Sequence, residues 1–551
     1  MERFARLLDS LSLTPQRNAK LRILEEHFRE TPDPERGLAL AAITGSLAFR
    51  GAKAGAIRAI AAERVDPVLF AMSYDYVGDL AETTALIWPQ RRGANRAPDL
   101  SEVIESLSDA TRAEAPVLIE TWLDALDADG RWALLKLVTG GLRVGVSARM
   151  AKMALARFGD VEITEIEELW HGLAPPYEDL FAWLEGKAQK PVSAAKSPFR
   201  PVMLATAVEA ADLAKLDPAE YAAEWKWDGI RVQAVSEGGV RRLYTRTGDD
   251  ISHTFPDVVA ALTFEGAIDG ELLIRDGEGG VAPFSELQQR LNRKSVSKKM
   301  MEQRPAFIRA YDVLVVGNED LRRKPFIERR ARLEALVADA PDRLDVSELV
   351  KIESWEQIEA LRADPPHAHA EGVMLKRRDS AYVPGRPKGP WFKWKRDPFL
   401  VDAVLMYAQR GHGKRSSFYS DYTFGVWTTG EDGDVLAPVG KAYFGFTDAE
   451  LKRIDKFVRD NTYERFGPVR SVTANKEVGL VLEIAFEGLQ RSPRHKSGLA
   501  MRFPRVHRLR WDKPAAQADR LETLQALLED HFDARGARGK ERGSVQPHPR
   551  G

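Results

Sequence analysis

Apolar and polar positions follow three different rhythms along this chain, and each predicts a different kind of structure. From the first residue to about 185 the spacing is helical. In PQRNAKLRILEEHFRE, Leu21, Leu24 and Phe28 recur at intervals of three and four with charged residues between them, leaving one apolar stripe. Ala, Leu, Glu and Arg dominate this stretch, and short clusters such as Thr31–Gly37 punctuate it. No strand-like alternation precedes Phe199, so an all-α domain is predicted over residues 1–190. The segment Gly186–Met203, with Pro191, Pro198 and Pro201 among lysines and small residues, reads as an extended linker centred on 191–200.

Beyond the linker the period changes. EWKWDGIRVQAV, VRRLYTR, AIDGELLIR, AFIRAYDVLVV and EGVMLKRR are short runs rich in β-branched and aromatic residues, bounded by Gly and Asp. Helical stretches, FSELQQRLNR and FIERRARLEALVAD, lie between them, so residues 201–397 are predicted to be α+β. From Phe399 the third rhythm begins. LVDAVLMYAQ, DYTFGVWTT, VLAPVGKAYFG and GLVLEIAFEG read as strands, and TDAELKRIDKFVRD as one helix among them. That pattern predicts a small C-terminal β-barrel of the oligonucleotide-binding type (OB-fold) over 398–533. Residues 534–551 read as a disordered basic tail.

Composition narrows the chemistry. The 551 residues are 44% hydrophobic and 30% charged, enough apolar material for three or four domains and too much for a disordered chain. There is no cysteine, which excludes disulfides, zinc ribbons, iron–sulfur clusters and thiol catalysis. Lys and Arg number 81 against 82 Asp and Glu, so net charge points to no partner, although cations gathered on one surface would still bind phosphates. The start, MERFARLLDSLSL, lacks the apolar stretch of a secretory signal, and the run Gly37–Phe49 is too short to span a bilayer. A cytoplasmic protein without a membrane partner is expected.

The most informative window is Glu224–Gln233, EWKWDGIRVQ. Taken alone, Lys226 would be an edge-strand lysine before an Asp-Gly turn. A lysine amine attacks phosphorus only when neutral, however, and Trp225, Trp227 and a nearby arginine are candidates for lowering its pKa. Gly229 would let the backbone approach a phosphate, and Arg231 would neutralise it.

Lys226-Trp227-Asp228-Gly229-Ile230-Arg231 resembles the nucleotidyl-lysine signature of DNA ligases, RNA ligases and mRNA capping enzymes. The other motifs of that superfamily follow in order. Leu243–Gly248 resembles the motif whose arginine, here Arg246, lies against the nucleotide and nick. Ala267–Leu272 resembles the one in which a glutamate, Glu271, addresses the ribose and metal. Ala310–Leu314 matches a motif whose ring, Tyr311, stacks on the base. Glu371–Lys376 matches the motif whose glutamate supports the metal. Tyr382–Arg386 and Trp391–Lys395 resemble the pair that sets Arg386, Lys393 and Lys395 on the nucleotide phosphates. Gly498–Arg505 and Trp511–Lys513 resemble the last motif, whose Arg502 and Lys513 close over ATP from the barrel.

The resemblance implies that Lys226 is the catalytic residue, that Glu224 belongs to the ATP contacts, and that Glu271 and Glu371 hold Mg²⁺ (or Mn²⁺). Two carboxylates suffice for that ion, which takes its other ligands from phosphate and water. The helical segment Trp132–Met150 resembles part of the DNA-binding domain of archaeal and eukaryotic-type ATP-dependent DNA ligases. Gly140-Gly141 ends one helix there and Ser147 caps the next. Arg143, Gly145 and Ser147 would form an anion site for a DNA phosphate. Phe284–Leu291 resembles a helix of the same class. The expected protein is thus a three-domain ATP-dependent DNA ligase resembling the bacterial form, acting as a monomer on nicked duplex DNA, with its pathway among DNA replication, repair and recombination left open. Rival expectations are an RNA ligase or capping-type nucleotidyltransferase, which would lack the helical domain, and a non-catalytic nick-binding module, which would lack the nucleophile or the carboxylates.

Overall fold

The structure, a computed structural model, describes residues 1–529 except 48, 50–53, 78, 90–95, 141, 194, 278, 292, 294, 368, 411–418, 432, 444–446, 468 and 493–494. The predicted tail, 534–551, and Gly141 lie outside the described residues. Two units partition the chain. One comprises Met1–Ile166, Leu173–Pro191 and Pro398–Glu529, the other Glu167–Gly172 and Val192–Asp397.

The first unit opens with α-helices, from Glu2–Leu13 to Glu178–Leu184, with no strand among the described residues of that stretch. The predicted stripe is the buried face of the helix Arg17–Glu30, through Leu21, Leu24 and Phe28. Phe28 meets Phe158 and Phe181 edge-on, at 6.3 and 5.5 Å between centroids. The helix Ala128–Thr139 stops at Gly140, whose φ of +69° is a left-handed cap. The next, Ala148–Gly159, starts at Ser147, whose hydroxyl accepts from the Met150 amide at 3.2 Å.

The same unit ends in a curled seven-stranded sheet. Its strands run in the order Gly433–Ala442, Tyr419–Gly430, Phe399–Arg410, Val469–Val472 and Thr462–Phe466. The long strand Phe399–Arg410 changes partner along its length, pairing Val481–Phe486 through residues 399–404 and Val469–Val472 through 407–409. Val481–Phe486 in turn pairs Arg505–Arg510. The predicted helix is present as Asp448–Asn461, closed by a reciprocal Thr447–Glu450 capping box.

In the second unit the β-branched and aromatic runs form two sheets. The first has the order Thr206–Ala207, Trp391–Lys395, Ala370–Arg377, Tyr221–Trp227 and Leu349–Val350. Alternation gives it two unlike faces. Tyr221, Ala223, Trp225, Val373, Leu375 and Phe392 pack into an apolar cluster, and the opposite face carries Glu224, Lys226, Lys376, Lys393 and Lys395. The second sheet has the order Val240–Thr245, Ile230–Glu237, Gly266–Ile274, Ala306–Val316 and Glu319–Asp320. Its Val232, Ala234, Ile268 and Leu272 pack on Leu287 and Leu333 of the helices Phe284–Leu291 and Phe326–Val337, leaving Arg231, Gln233, Asp269 and Glu271 on the other face. Val235 and Ala267 of the second sheet share a cluster with Trp391 of the first, so the polar faces are brought together.

The register breaks at two places on these polar faces. Ala370 pairs Trp227 but Gly372 pairs Lys226, which leaves Glu371 as a bulged residue. Asp269 pairs Asp312 but Gly270 pairs Ala310, which leaves Tyr311 as another. Among the described residues no helix is long and apolar enough to cross a membrane.

Candidate active site

Gly372 lies between Lys226 and Lys395 in one row across three strands. A side chain at Gly372 would strike the Trp394 carbonyl, and its φ is +144°, so the row closes tightly there. The bulge next to it turns Glu371 toward both lysines. Lys226 Nζ donates to Glu371 Oε2 at 2.5 Å, and Lys395 Nζ is 3.5 Å from the same oxygen.

This arrangement overturns the expected lowering of the Lys226 pKa. Burial does push the ammonium down, but Glu371, Glu271 and Asp228 outweigh it, and the net shift is upward. Trp225 and Trp227 sit on the opposite face of the strand, Trp227 beneath the Arg309 guanidinium at 4.4 Å. Gly229 also has a different reason from the one expected. A Cβ there would lie 2.6 Å from the Leu272 carbonyl oxygen and 2.8 Å from Glu271 Cγ, so the glycine lets the turn pack on the strand that carries Glu271.

Glu271 is pushed up to about 8 by burial, against the lowering charges of Lys226 and Arg231 and with a smaller push from Glu371 and Asp228. Its neighbour two residues back, Asp269, is satisfied instead. Asp269 Oδ2 accepts from Arg231 at 2.6 Å and from the Tyr382 hydroxyl at 2.5 Å, while Arg231 also donates to the Met203 carbonyl at 2.6 Å. Arg231 is thereby fixed 5.8 Å from the Tyr311 ring centroid.

The Tyr311 ring also has Lys376 Nζ 4.5 Å from its centroid, and the same amine donates to the Tyr311 carbonyl at 3.1 Å. Lys376, 1% exposed, is ion-paired to Glu224, 2% exposed, whose other oxygen accepts from Arg330 of the Phe326–Val337 helix at 2.8 Å. Both carboxylate oxygens of Glu224 are thus occupied within the protein.

The remaining cations of this unit crowd one another. Burial together with the charges of Arg386, Lys395, Lys226 and Arg246 pushes the Lys393 ammonium down. Burial with Arg231 and Arg386 does the same to Arg246. A polyanion entering here would relieve that repulsion and take charge-assisted hydrogen bonds. The donor set for a divalent metal is the carboxylate pair alone: among the described residues no group of three or more potential ligands occurs. Two hard carboxylates, one held high in pKa by burial, fit Mg²⁺ or Mn²⁺ when phosphate and water complete the shell.

The other predicted site residues lie in the first unit. Lys513 donates to Asp402 Oδ2 at 2.7 Å, an oxygen that also takes Arg510 at 3.1 Å. Arg502 ends the strand Leu499–Arg502, its guanidinium 5.6 Å from the Phe503 ring. Arg143, Gly145 and Ser147 fall on the exposed loop between two helices. That loop is held from beneath by Lys20, 5% exposed, which donates to the carbonyls of Val144 at 2.6 Å and Gly145 at 3.1 Å. Gly145 has φ +68° and no room for a Cβ against that amine.

Sequence reasoning assigned no role to Asp269, Tyr382, Lys376, Arg330 or Lys20. The signal for Lys20 was present: it sits four residues before Leu24 and eight before Phe28, on the apolar stripe where a lysine has no business unless paired. Lys376 was likewise two residues from Met374, on the face that Glu224 and Lys393 share.

Comparison with known proteins agrees in kind. The family model described as ATP dependent DNA ligase domain matches residues 202–395, and that of the ATP dependent DNA ligase C terminal region matches 415–513. A probable DNA ligase from Koribacter versatilis (strain Ellin345) is 30% identical over 580 residues, which cover 98% of each chain. A DNA ligase from Natronomonas pharaonis is 32% identical over 458 residues and 79% of each chain. The solved structure Pmar-Lig_PreS3 aligns with 92% of this chain and 99% of its own at a TM-score of 0.54 and 16% identity, a likeness of fold alone.

Proposed function

The chain belongs to the ATP-dependent DNA ligase family, and we propose that it seals 5′-phosphate/3′-hydroxyl nicks in duplex DNA in three steps that begin at Lys226. In the first, Lys226 Nζ gives up a proton and attacks the α-phosphorus of ATP. The N–P bond forms as the bond to the β-phosphate oxygen breaks, and pyrophosphate leaves. Glu371, which already accepts the hydrogen bond of Lys226, is placed to receive the proton. Arg246, Arg386, Lys393 and Lys395 meet the charge of the triphosphate and of the departing pyrophosphate. Tyr311, backed by Lys376, offers its ring to the base, and the Glu224 pair keeps Lys376 in place. Glu271 and Glu371 hold Mg²⁺ (or Mn²⁺), which when bound supplies charge neutralisation at the phosphates. AMP then passes from Lys226 to the 5′-phosphate, and the 3′-hydroxyl displaces it.

The finer assignments extend this reading. Residues 1–190 form the DNA-binding domain, with Arg143, Gly145 and Ser147 on a backbone phosphate. Residues 201–397 form the adenylation domain. Residues 398–533 form an OB-fold whose helix Asp448–Asn461 interrupts the strands, and its Arg502 and Lys513 act on ATP in the first step. The enzyme works as a monomer in the cytoplasm. The observation that carries the proposal is the half-buried Lys226 amine set between two glutamates and a crowd of unrelieved cations. Incubation with labelled ATP and Mg²⁺ should tag the wild type and leave Lys226→Ala blank, and nicked DNA should be sealed in preference to nicked RNA. Equal labelling of both proteins would remove Lys226 from its role.

A further inference from the structure

The short segment Glu167–Gly172 belongs to the adenylation unit, although in sequence it is flanked on both sides by the other one. It is fastened at two points. Glu168 Oε1 accepts from Arg322 at 2.8 Å, and the same guanidinium grips Asp320 at 2.7 Å. Three residues on, the His171 ring enters an aromatic box, 5.2 Å from Tyr244 and 5.5 Å from Phe199, which are themselves 5.7 Å apart. Tyr244 is locked by its hydroxyl, which donates to the Ser197 carbonyl at 2.8 Å.

The box closes on the turn that bears Arg246. That turn is stiff. The Gly248 amide donates to the Thr245 carbonyl at 2.9 Å, and the Thr245 amide to the Asp249 carbonyl at 2.9 Å. Asp249 Oδ2 accepts from the hydroxyls of Thr245 at 3.1 Å and Thr247 at 2.5 Å. Its back is Gly248, buried, with φ +88°. A Cβ at that position would lie 3.0 Å from His171 Nε2 and 3.2 Å from Phe199 Cδ1. His171 therefore fills the space immediately behind a rigid turn whose exposed end is the Arg246 guanidinium.

We propose that His171 is a positioning residue for end joining: it props the Thr245–Asp249 turn from behind, and so sets where Arg246 stands at the transfer site. The inference rests on the reading of Arg246 as a contact to the nucleotide and nick. An arginine on an unsupported turn retains its charge but loses its direction, and a misdirected group costs more in rate than in binding.

The test is a double-mutant cycle on the full chain with a pre-adenylated nicked duplex, each variant checked by its thermal melt. His171→Ala should slow single-turnover sealing about tenfold or more. His171→Phe, which refills the box with a ring, should recover the wild-type rate to within about twofold. In the Arg246→Ala background, His171→Ala should cost no more than about twofold further. If His171→Ala seals at the wild-type rate, slows Arg246→Ala as much as it slows the wild type, or is restored in melting but not in rate by phenylalanine, the positioning role is overturned and the reading of Arg246 stands. If Arg246→Ala itself seals like wild type, the reading of Arg246 fails, and this inference with it.

Discussion

Two clusters of buried charge in this chain behave in opposite ways. In the helical region Arg36, 5% exposed, donates to both oxygens of Asp33 at 2.8 and 2.7 Å, to Glu185 at 2.6 Å and to the Phe28 carbonyl at 3.0 Å, with the Phe181 ring 4.3 Å away. Its charges are matched, and Glu185 is drawn down to about 2 by its hydrogen bonds to Arg36 and Lys187. At the proposed transfer site cations are packed against cations. Burial holds Glu271 up at about 8 against the charges of Lys226 and Arg231, and burial with cationic neighbours pushes Lys393 and Arg246 down. The first cluster is complete as folded, and the second, on the proposed reading, is completed by a substrate that carries phosphates. Burial is common to both clusters, and what separates them is how fully opposite charge within the fold matches each buried group.

The sharpest break between the two would come from deleting one cation in each. Lys226→Ala should drop adenylate transfer to background while its unfolding free energy stays within about 1 kcal/mol of wild type, because Lys395 remains beside Glu371. Arg36→Met should do the reverse. Stranding Asp33 and Glu185 should cost about 3–5 kcal/mol in denaturant unfolding, with labelling by ATP unchanged in the folded fraction. If Lys226→Ala unfolds as readily as Arg36→Met, the two clusters are alike and the distinction fails.

A smaller effect is expected from the unrelieved cations. Tripolyphosphate at about 100 times its dissociation constant should stabilise the wild type by about 2.7 kcal/mol in thermal unfolding, and Lys393→Ala or Arg386→Ala should forfeit most of that gain.

The last effects concern pH, and they differ in sign. The raised Glu271 binds its proton more tightly when folded, so its contribution is fully present below its ordinary 4.5 and is lost as pH rises to about 8. Glu271→Gln should flatten that decline in the metal-free protein. The depressed Glu185 contributes stability above 4.5 that is lost as pH falls toward 2, and Glu185→Gln should lower stability at neutral pH and flatten the acid limb.

Much of this was legible in the residues themselves. Period-two alternation put Lys226 on a strand and Lys393 and Lys395 on one face, and the strands Ala306–Val316 and Gly266–Ile274 fall where their β-branched runs predict. What alternation misses is where the strands break step. Glu371 and Tyr311 reach the site through bulges, and a register slip depends on the neighbouring strand, which no local pattern encodes. The charge of Lys226 was misjudged for the same reason. Its sequence neighbours are tryptophans on the far face, whereas the carboxylates that set its proton come from strands about 45 and 145 positions away. The supports Arg330 and Tyr382 escaped because a residue that steadies another carries no motif of its own.

The extra residue in the strand Ala370–Arg377 also limits how this enzyme can vary over time. Shortening or lengthening the strand by a single position would exchange every side chain from Gly372 onward between the two faces, sending Lys376 into the apolar cluster and Leu375 onto the polar face. A substitution in this stretch leaves the register intact, whereas a one-residue insertion or deletion does not.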